Sequence, residues 1–193
     1  MMSRTYIQTL KFPKGTKKRN NSSDSGPENT AVPSRARRII GLDPGLASTG
    51  WGLVEFQSNR IIHIAHGCIE TAARTERSQR LFSIYTEIRT ILELYKPEQA
   101  SIETLYFAKN VSSALPVAEA RGVVSMALAE QAVVVREFTP MAIKMAVAGS
   151  GAADKAQVQE MVRLILGLDS IPKPDHAADA LAAALCCAHT VLP

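Results

Sequence analysis

The order in which strand-like and helix-like segments follow one another constrains the fold of this chain more than any other feature. Residues 38–43 form a short apolar run that ends at Pro44 and Gly45, which is typical of a buried strand leading into a turn. Two more strand-like runs follow. The full predicted order is strands 38–43, 51–56 and 61–69, helix 78–95, strand 99–103, helix 111–131, a strand from 133 to Phe138, and helices 156–166 and 175–188.

Three successive strands indicate an antiparallel opening, and the later alternation of helix and strand indicates parallel crossovers. Together they predict an α/β fold with a mixed five-stranded sheet flanked by helices. This order is typical of RNase-H-like proteins, in which the first and fourth of these strands are neighbours.

The first 37 residues differ from the rest of the chain in composition. They are rich in Lys, Arg, Ser, Asn and Pro without a sustained apolar period, which predicts a disordered basic tail, most clearly over residues 20–33. A transit peptide, a flexible arm that contacts DNA, or residues upstream of the true start would have the same composition. Residues 38–193 are then predicted to form a single domain.

The distribution of charge does not by itself indicate a nucleic-acid partner. The chain has a formal net charge of +4, but residues 1–38 hold nine Lys or Arg against Asp24 and Glu28. These residues therefore carry +7 and the remainder carries −3 (4 − 7), so any basic surface on the domain must come from local clustering. The three cysteines form no CxxC pair, and no apolar run reaches the length of a membrane span, so we expect a soluble cytoplasmic protein.

Acidic residues end two of the predicted strands and begin the last helix. Asp43 follows the first strand, Glu103 ends the fourth, and the helix begins with Asp175, His176 and, one turn later, Asp179. An Asx turn, an exposed strand end and an acidic first helical turn are ordinary explanations of each. Carboxylates from neighbouring strand ends, joined by a helix that is otherwise rich in alanine, would instead meet in one cleft.

Such a cleft has a chemical use. Hard divalent ions such as Mg²⁺ bind oxygen ligands and are usually held by a few carboxylates together with substrate phosphates. Two ions roughly 3.5–4 Å apart activate a water and stabilise the leaving oxygen during in-line displacement at phosphorus. The pattern therefore predicts a metal-dependent phosphodiesterase.

Five ordered blocks resemble RuvC Holliday-junction resolvases, the crossover junction endodeoxyribonucleases. The resemblance runs from about Arg38 to the end of the chain. The blocks are Gly41 to Gly45, Thr49 to Gly52, Ile102 to Glu103 with Phe107 to Asn110, Ala120 to Gly122, and Asp175 to Ala182. The basic tail is a departure from typical relatives, and the chain ends soon after the last helix where some relatives continue.

The resemblance implies the roles of individual residues. Asp43, Glu103, His176 and Asp179 would be catalytic ligands of Mg²⁺ or Mn²⁺, two ions per subunit, with Asp175 as the alternative to His176. Tyr106 and its neighbour Phe107 would contact the opened junction, although one of them would equally suit packing against the next helix. The basic positions that would contact DNA phosphates are Lys109, Arg121, Lys144 and Lys155.

The resemblance also implies partners and a reaction. A homodimer would place one active site on each of two like strands of a four-way junction and resolve it by paired, symmetric cuts during recombination and repair. The apolar face of the helix over residues 111–131 is a candidate dimer surface, although burial within the monomer would explain this face equally well. The RuvA–RuvB branch-migration complex is the implied partner.

Two other functions are compatible with parts of this pattern. A catalytically silent junction-binding module would share the fold. An actin-like or sugar-kinase ATPase also opens with a strand, Asp and Gly, but such proteins clamp their nucleotide between two duplicated domains, and this chain contains one.

Overall fold

The computed structural model describes residues 4–9, 36–105 and 111–190, with the side chains described over 36–105 and 114–190. The strands in these ranges are β1 (Arg4–Thr9), β2 (Arg37–Asp43), β3 (Ser48–Gln57), β4 (Arg60–Glu70), β5 (Gln99–Glu103) and β6 (Val134–Phe138). The helices are α1 (Arg77–Tyr95), α2 (Val111–Glu130), α3 (Pro140–Ala148), α4 (Lys155–Leu166) and α5 (Asp175–Thr190).

The strands form one mixed sheet in the order β1-β4-β3-β2-β5-β6. The pairs β1–β4, β4–β3 and β3–β2 are antiparallel, whereas β2–β5 and β5–β6 are parallel. The five predicted strands and their mixed pairing are therefore confirmed, including the prediction that β2 and β5 are neighbours.

Both faces of the sheet are covered, and the residues of β2 alternate between the two cores. Ile40 and Leu42 pack with the buried residues of α1 and α2, whereas Ile39 packs with those of α3, α4 and α5. A strand buried on both faces reads as a continuous apolar run, which is why residues 39–42 carry no polar side chain.

The N-terminal strand β1 corrects the prediction that the whole of residues 1–37 is disordered and raises the number of strands to six. Residues Arg4–Thr9 pair with β4 from Arg4 opposite Glu70 to Thr9 opposite Ala65. Thr5, Tyr6 and Ile7 favour extended backbone, and β4 would otherwise present unpaired backbone groups at the sheet edge. Only Tyr6 and Ile7 among these six residues are apolar, so the segment shows neither an apolar run nor an alternating pattern, and the sequence did not reveal this strand. The predicted disorder over residues 20–33 falls outside the described residues.

The helix α3 was also absent from the sequence prediction, which placed no element between the strand that ends at Phe138 and the helix over residues 156–166. Pro140 instead occupies the first turn of α3, where its missing N–H costs nothing. The Thr139 side chain accepts a hydrogen bond from the Ala142 backbone N–H, and Gly149 ends the helix with a left-handed backbone.

Candidate metal centre

The strand ends bring Asp43 and Glu103 to the same edge of the sheet. Because β2 and β5 are parallel and Leu42 lies opposite Ile102, the acid that follows each of these residues ends its strand beside the other. Polar side chains at the carboxyl ends of adjacent parallel strands face a common cleft in α/β proteins. The predicted convergence of these two acids is therefore a consequence of strand register.

Helix α5 approaches this edge closely because the strands beneath it carry glycine. A Cβ atom on Gly41 would lie 1.8 Å from the Ala180 backbone oxygen, and one on Gly50 would lie 2.0 Å from that of His176. Any larger residue at these positions would hold the helix away from the sheet. The alanines of α5 have the same effect from the other side, since nearly the whole helix from Ala177 to Ala188 is buried.

The close approach gathers three of the predicted ligands. Asp43, His176 and Asp179 each offer a ligand atom, and these atoms all lie within 4.8 Å of one another. His176 Nδ1 lies 2.6 Å from Asp43 Oδ2, and this hydrogen bond is the main reason that the pKa of His176 is raised. Asp175 is outside this group: its carboxylate lies 3.5 Å from Lys155 Nζ and 3.7 Å from Lys173 Nζ.

Glu103 lies beside this group rather than within it. Its side chain is exposed, yet its pKa is raised, first by reduced hydration of the carboxylate and then by repulsion from Asp43 and Asp179, with Lys144 opposing the shift. The pKa of Asp179 is also raised, mainly by burial. Negative charges held together at a partly dehydrated site favour a bound cation, and carboxylate oxygens with one imidazole nitrogen suit Mg²⁺ or Mn²⁺.

The turn after Asp43 is held by a residue that sequence reasoning did not single out. Thr49 Oγ1 donates a hydrogen bond to the Gly45 backbone oxygen at 2.8 Å and accepts one from the Gly45 N–H at 3.3 Å. Thr71 Oγ1 donates to the Leu46 oxygen at 2.6 Å. Thr49 is fully buried, so the turn that presents Asp43 is closed from inside the protein. A threonine four residues after the glycine of a tight turn is the signal that the sequence offered.

A cavity of about 300 Å³ opens beside the acids. It is lined by Asp43, Pro44, Glu103, Thr104, Leu105, Val117, Arg121 and Pro140. Residues from two strand ends, α2 and the start of α3 therefore surround the space next to Asp43 and Glu103.

The chain matches a known protein family over most of its length. The family model described as crossover junction endodeoxyribonuclease RuvC matches residues 39–187, a range that contains all four candidate ligands of the site. The chain belongs to the RuvC family of crossover junction endodeoxyribonucleases. The chain is thus an endonuclease by family, and it has the fold of that family.

Individual RuvC proteins are similar over most of their length. The Treponema denticola protein is 54% identical over 147 residues, which are 76% of this chain and 83% of that protein. The Chloroflexus aurantiacus protein is 50% identical over 153 residues, which are 79% and 93% of the two chains. The structure of Thermus thermophilus RuvC in complex with a Holliday junction substrate matches with a TM-score of 0.74 and 34% identity, covering 78% of this chain and 92% of that one.

The remaining residues that the RuvC resemblance singled out fall into three groups, of which the first is Arg121, a lining residue of the cavity beside the acids. Lys144 is half-buried on α3 near Glu103, and Lys155 Nζ lies 3.1 Å from Asp179 Oδ2, so both lysines border the acidic site. Burial lowers the pKa of Lys155, but its hydrogen bond with Asp179 and the attraction of both acids outweigh this and raise it. Tyr106, Phe107 and Lys109 lie outside the described residues.

The described residues also bear on membrane crossing and on the state of the cysteines. No helix in the described parts combines the length and apolar character that crossing a bilayer requires. The three cysteines are buried free thiols, namely Cys68, Cys186 and Cys187.

Proposed function

We propose that this RuvC-family endonuclease resolves four-way DNA junctions with a metal centre formed by Asp43, Glu103, His176 and Asp179. The observation that carries the proposal is the meeting of acids from β2 and α5, with ligand atoms within 4.8 Å, beside the acid that ends β5. The Thermus thermophilus relative was solved in complex with a Holliday junction substrate, which supports the same substrate class here.

The proposed ligands divide the work of the site. Divalent ions bound there, two Mg²⁺ or Mn²⁺ per subunit, would activate a water and stabilise charge on the scissile phosphate and the leaving oxygen. Asp43 orients His176 through the 2.6 Å hydrogen bond to Nδ1, which leaves Nε2 as the free ring nitrogen of His176 for an ion or a proton. Glu103 completes the negative cluster from the neighbouring strand.

DNA contacts are proposed on both sides of this centre. Lys144 and Lys155 border the acids on α3 and α4 and would neutralise phosphates near the cut. Lys109 is proposed to contact the backbone further along the strand. Tyr106 and Phe107 would stack on unpaired bases at the opened junction, where stacking contributes about 1–3 kcal/mol per base.

A homodimer is proposed to act on the two like strands, with α2 as the contact surface. One face of this helix packs in the core through Ala120, Val124 and Leu128. The opposite face leaves Leu115 53% and Met126 60% exposed, and an added Cβ on Gly122 between them would meet nothing within 4 Å. A helix that is apolar on both faces is typical of an interface.

The dimer proposal has a direct test. Replacing both Leu115 and Met126 with Glu should convert the dimer to a monomer in analytical ultracentrifugation, because like charges would face each other across the twofold axis. The same double change on exposed positions of α1, at Phe82 and Leu94, should leave the mass unchanged. A dimer that survives the α2 change would place the interface elsewhere.

The family resemblance also supports a place of action and a partner. We propose that the protein works in the cytoplasm on nucleoid DNA, together with the RuvA–RuvB branch-migration complex, in recombination and repair. Three unpaired thiols are consistent with a reducing compartment.

The metal centre is tested with synthetic DNA. Wild-type protein in Mg²⁺ should make paired cuts in a mobile four-way junction and leave a matched linear duplex intact. Asp43→Asn should lower the cutting rate by more than about 100-fold, since even residues that only support metal ligands contribute 10–100-fold, while junction binding survives.

Asp175→Asn is the matched comparison, because Asp175 is an acid on the same helix whose carboxylate lies outside the ligand group. Its cutting rate should stay within about threefold of wild type. Cleavage that persists in Asp43→Asn would refute the metal assignment, and loss of cleavage in Asp175→Asn would show that the ligand on α5 is Asp175 instead of His176. A wild-type protein that binds junctions without cutting them in Mg²⁺ or Mn²⁺ would be the catalytically silent module.

A further inference from the structure

One basic residue at the site, Arg121, already uses both terminal nitrogens of its guanidinium in contacts with other protein groups. Arg121 Nη1 donates a hydrogen bond to the Glu103 backbone oxygen at 2.5 Å, and Nη2 lies 2.7 Å from Glu137 Oε1 on β6. The Arg121 side chain is 15% exposed, whereas that of Lys155 on the other side of the acids is 55% exposed. A cation so enclosed and so paired is poorly placed to receive a DNA phosphate.

The position of these contacts matters because Glu103 is the last residue of β5. The ladder between β5 and β6 ends there, with the Thr104 N–H donating to the Phe138 oxygen at 2.8 Å. The guanidinium of Arg121 extends this connection: one nitrogen holds the main chain of Glu103 and the other holds the neighbouring strand through Glu137. Arginine suits this task because its donors form a rigid planar fork, which a lysine ammonium cannot reproduce.

We propose that Arg121 is a positioning residue, which holds the end of β5 so that the Glu103 carboxylate points to the metal centre, rather than a contact to DNA phosphate. The sequence placed Arg121 among the DNA-binding residues, and its two protein contacts are the reason for the revision. This inference rests on the proposed function, since it takes Glu103 to be a metal ligand.

The test separates the two roles by measuring binding and cutting independently in the full chain. Arg121→Gln should lower the single-turnover cutting rate at saturating junction by about 10–100-fold, as expected for a residue that supports a ligand. It should weaken Mn²⁺ binding, measured by calorimetry without DNA. Junction affinity without divalent ions, and its dependence on salt concentration, should stay unchanged.

Three companion variants complete the experiment. Lys144→Gln should remove one phosphate contact, so the slope of log affinity against log salt concentration should decrease in magnitude by about 0.9. Arg136→Gln removes an equal charge from the exposed part of β6 and should match wild type in cutting and in Mn²⁺ binding. Arg121→Lys keeps the positive charge, but its cutting rate should be less than about a third of the wild-type rate, because one ammonium group cannot reach both the Glu103 backbone oxygen and the Glu137 carboxylate.

Glu137→Gln distinguishes the roles most sharply and leaves Arg121 in place should its replacement prevent folding. The positioning role predicts slower cutting and weaker Mn²⁺ binding. If Arg121 instead contacts a DNA phosphate, Glu137→Gln should raise the affinity for junctions and steepen its dependence on salt concentration, because Arg121 would be released from Glu137. Full cutting by Arg121→Gln, or a salt slope reduced by about 0.9, would overturn the proposal. Persistent cutting by Glu103→Gln would instead refute the metal centre itself.

Discussion

Replacement of Gly41 by Ala tests how strongly the proposed metal centre depends on close packing of α5. A Cβ atom on Gly41 would lie 1.8 Å from the Ala180 backbone oxygen and 2.6 Å from the Ala184 backbone nitrogen. Both atoms belong to the helix main chain, so no side-chain rotation relieves the contact. To bring the first distance to 3.0 Å, helix and strand must separate by about 1.2 Å.

That displacement affects both stability and catalysis. Overpacking of a core typically costs about 1–3 kcal/mol, which corresponds to a fall in Tm of about 2–12 °C for a chain of this size. Ala180 directly follows Asp179, so the same movement carries Asp179 and His176 away from Asp43. A misplacement of about 1 Å at a reacting centre costs about 100-fold in rate. We therefore expect Gly41→Ala to fold with a lowered Tm and to cut junctions about 100-fold more slowly.

The assay combines thermal unfolding with single-turnover cleavage of a four-way junction. Gly52→Ala is the matched comparison, since two of the three nearest atoms to its added methyl belong to the movable Leu181 side chain. Its losses should be smaller in both measurements. Wild-type stability and cleavage in Gly41→Ala, or a larger loss in Gly52→Ala, would refute the argument that glycine sets the height of α5 above the sheet.

Two further predictions concern buried polar groups. Thr49→Val keeps the shape of the side chain but removes both hydrogen bonds to Gly45. It should lower the free energy of unfolding in urea by about 1–3 kcal/mol and slow cleavage, whereas Thr49→Ser should keep most of the wild-type stability and cleavage rate. Burial and His66 lower the pKa of His63 from 6.5 to about 4, so the unfolded chain takes up this proton first as the pH falls. The free energy of unfolding is therefore highest above pH 6.5 and falls toward pH 4, by about 2 kcal/mol at pH 5. The urea midpoint of His63→Gln should vary less with pH over this range than that of the wild-type protein. An equal dependence of the urea midpoint on pH in wild type and His63→Gln would contradict the assignment.

Much of the fold followed from local patterns. The apolar run before Asp43 and the helical spacing of residues 78–95 reflect burial on one or both faces of a single element, which neighbours in sequence are enough to reveal. Two elements could not be predicted from local patterns. The strand Arg4–Thr9 has only two apolar residues and lies in a basic, polar segment, so no apolar run marks it. Pro140 can end a strand or begin a helix, and only the hydrogen bond from the Ala142 N–H to Thr139 distinguishes these two cases.

The candidate site divides in a similar way. Asp43, Glu103 and Asp179 were recognisable because each acid stands at the end of an apolar strand or in the first turns of an alanine-rich helix. The contacts behind the proposed role of Arg121 were not recognisable, because its partner Glu137 is on another element and a basic residue near an active site suggests DNA contact by default.

The sequence by itself determined the family, the order of the described strands and helices other than β1 and α3, and the residue types that can bind a metal, since these are properties of short segments and their spacing. The tertiary structure decided which side chains meet. His176 rather than Asp175 reaches Asp43, and the Arg121 guanidinium turns inward to the Glu103 backbone. Such choices depend on strand register and on how closely α5 packs over Gly41 and Gly50, and these arise only when distant parts of the chain come together.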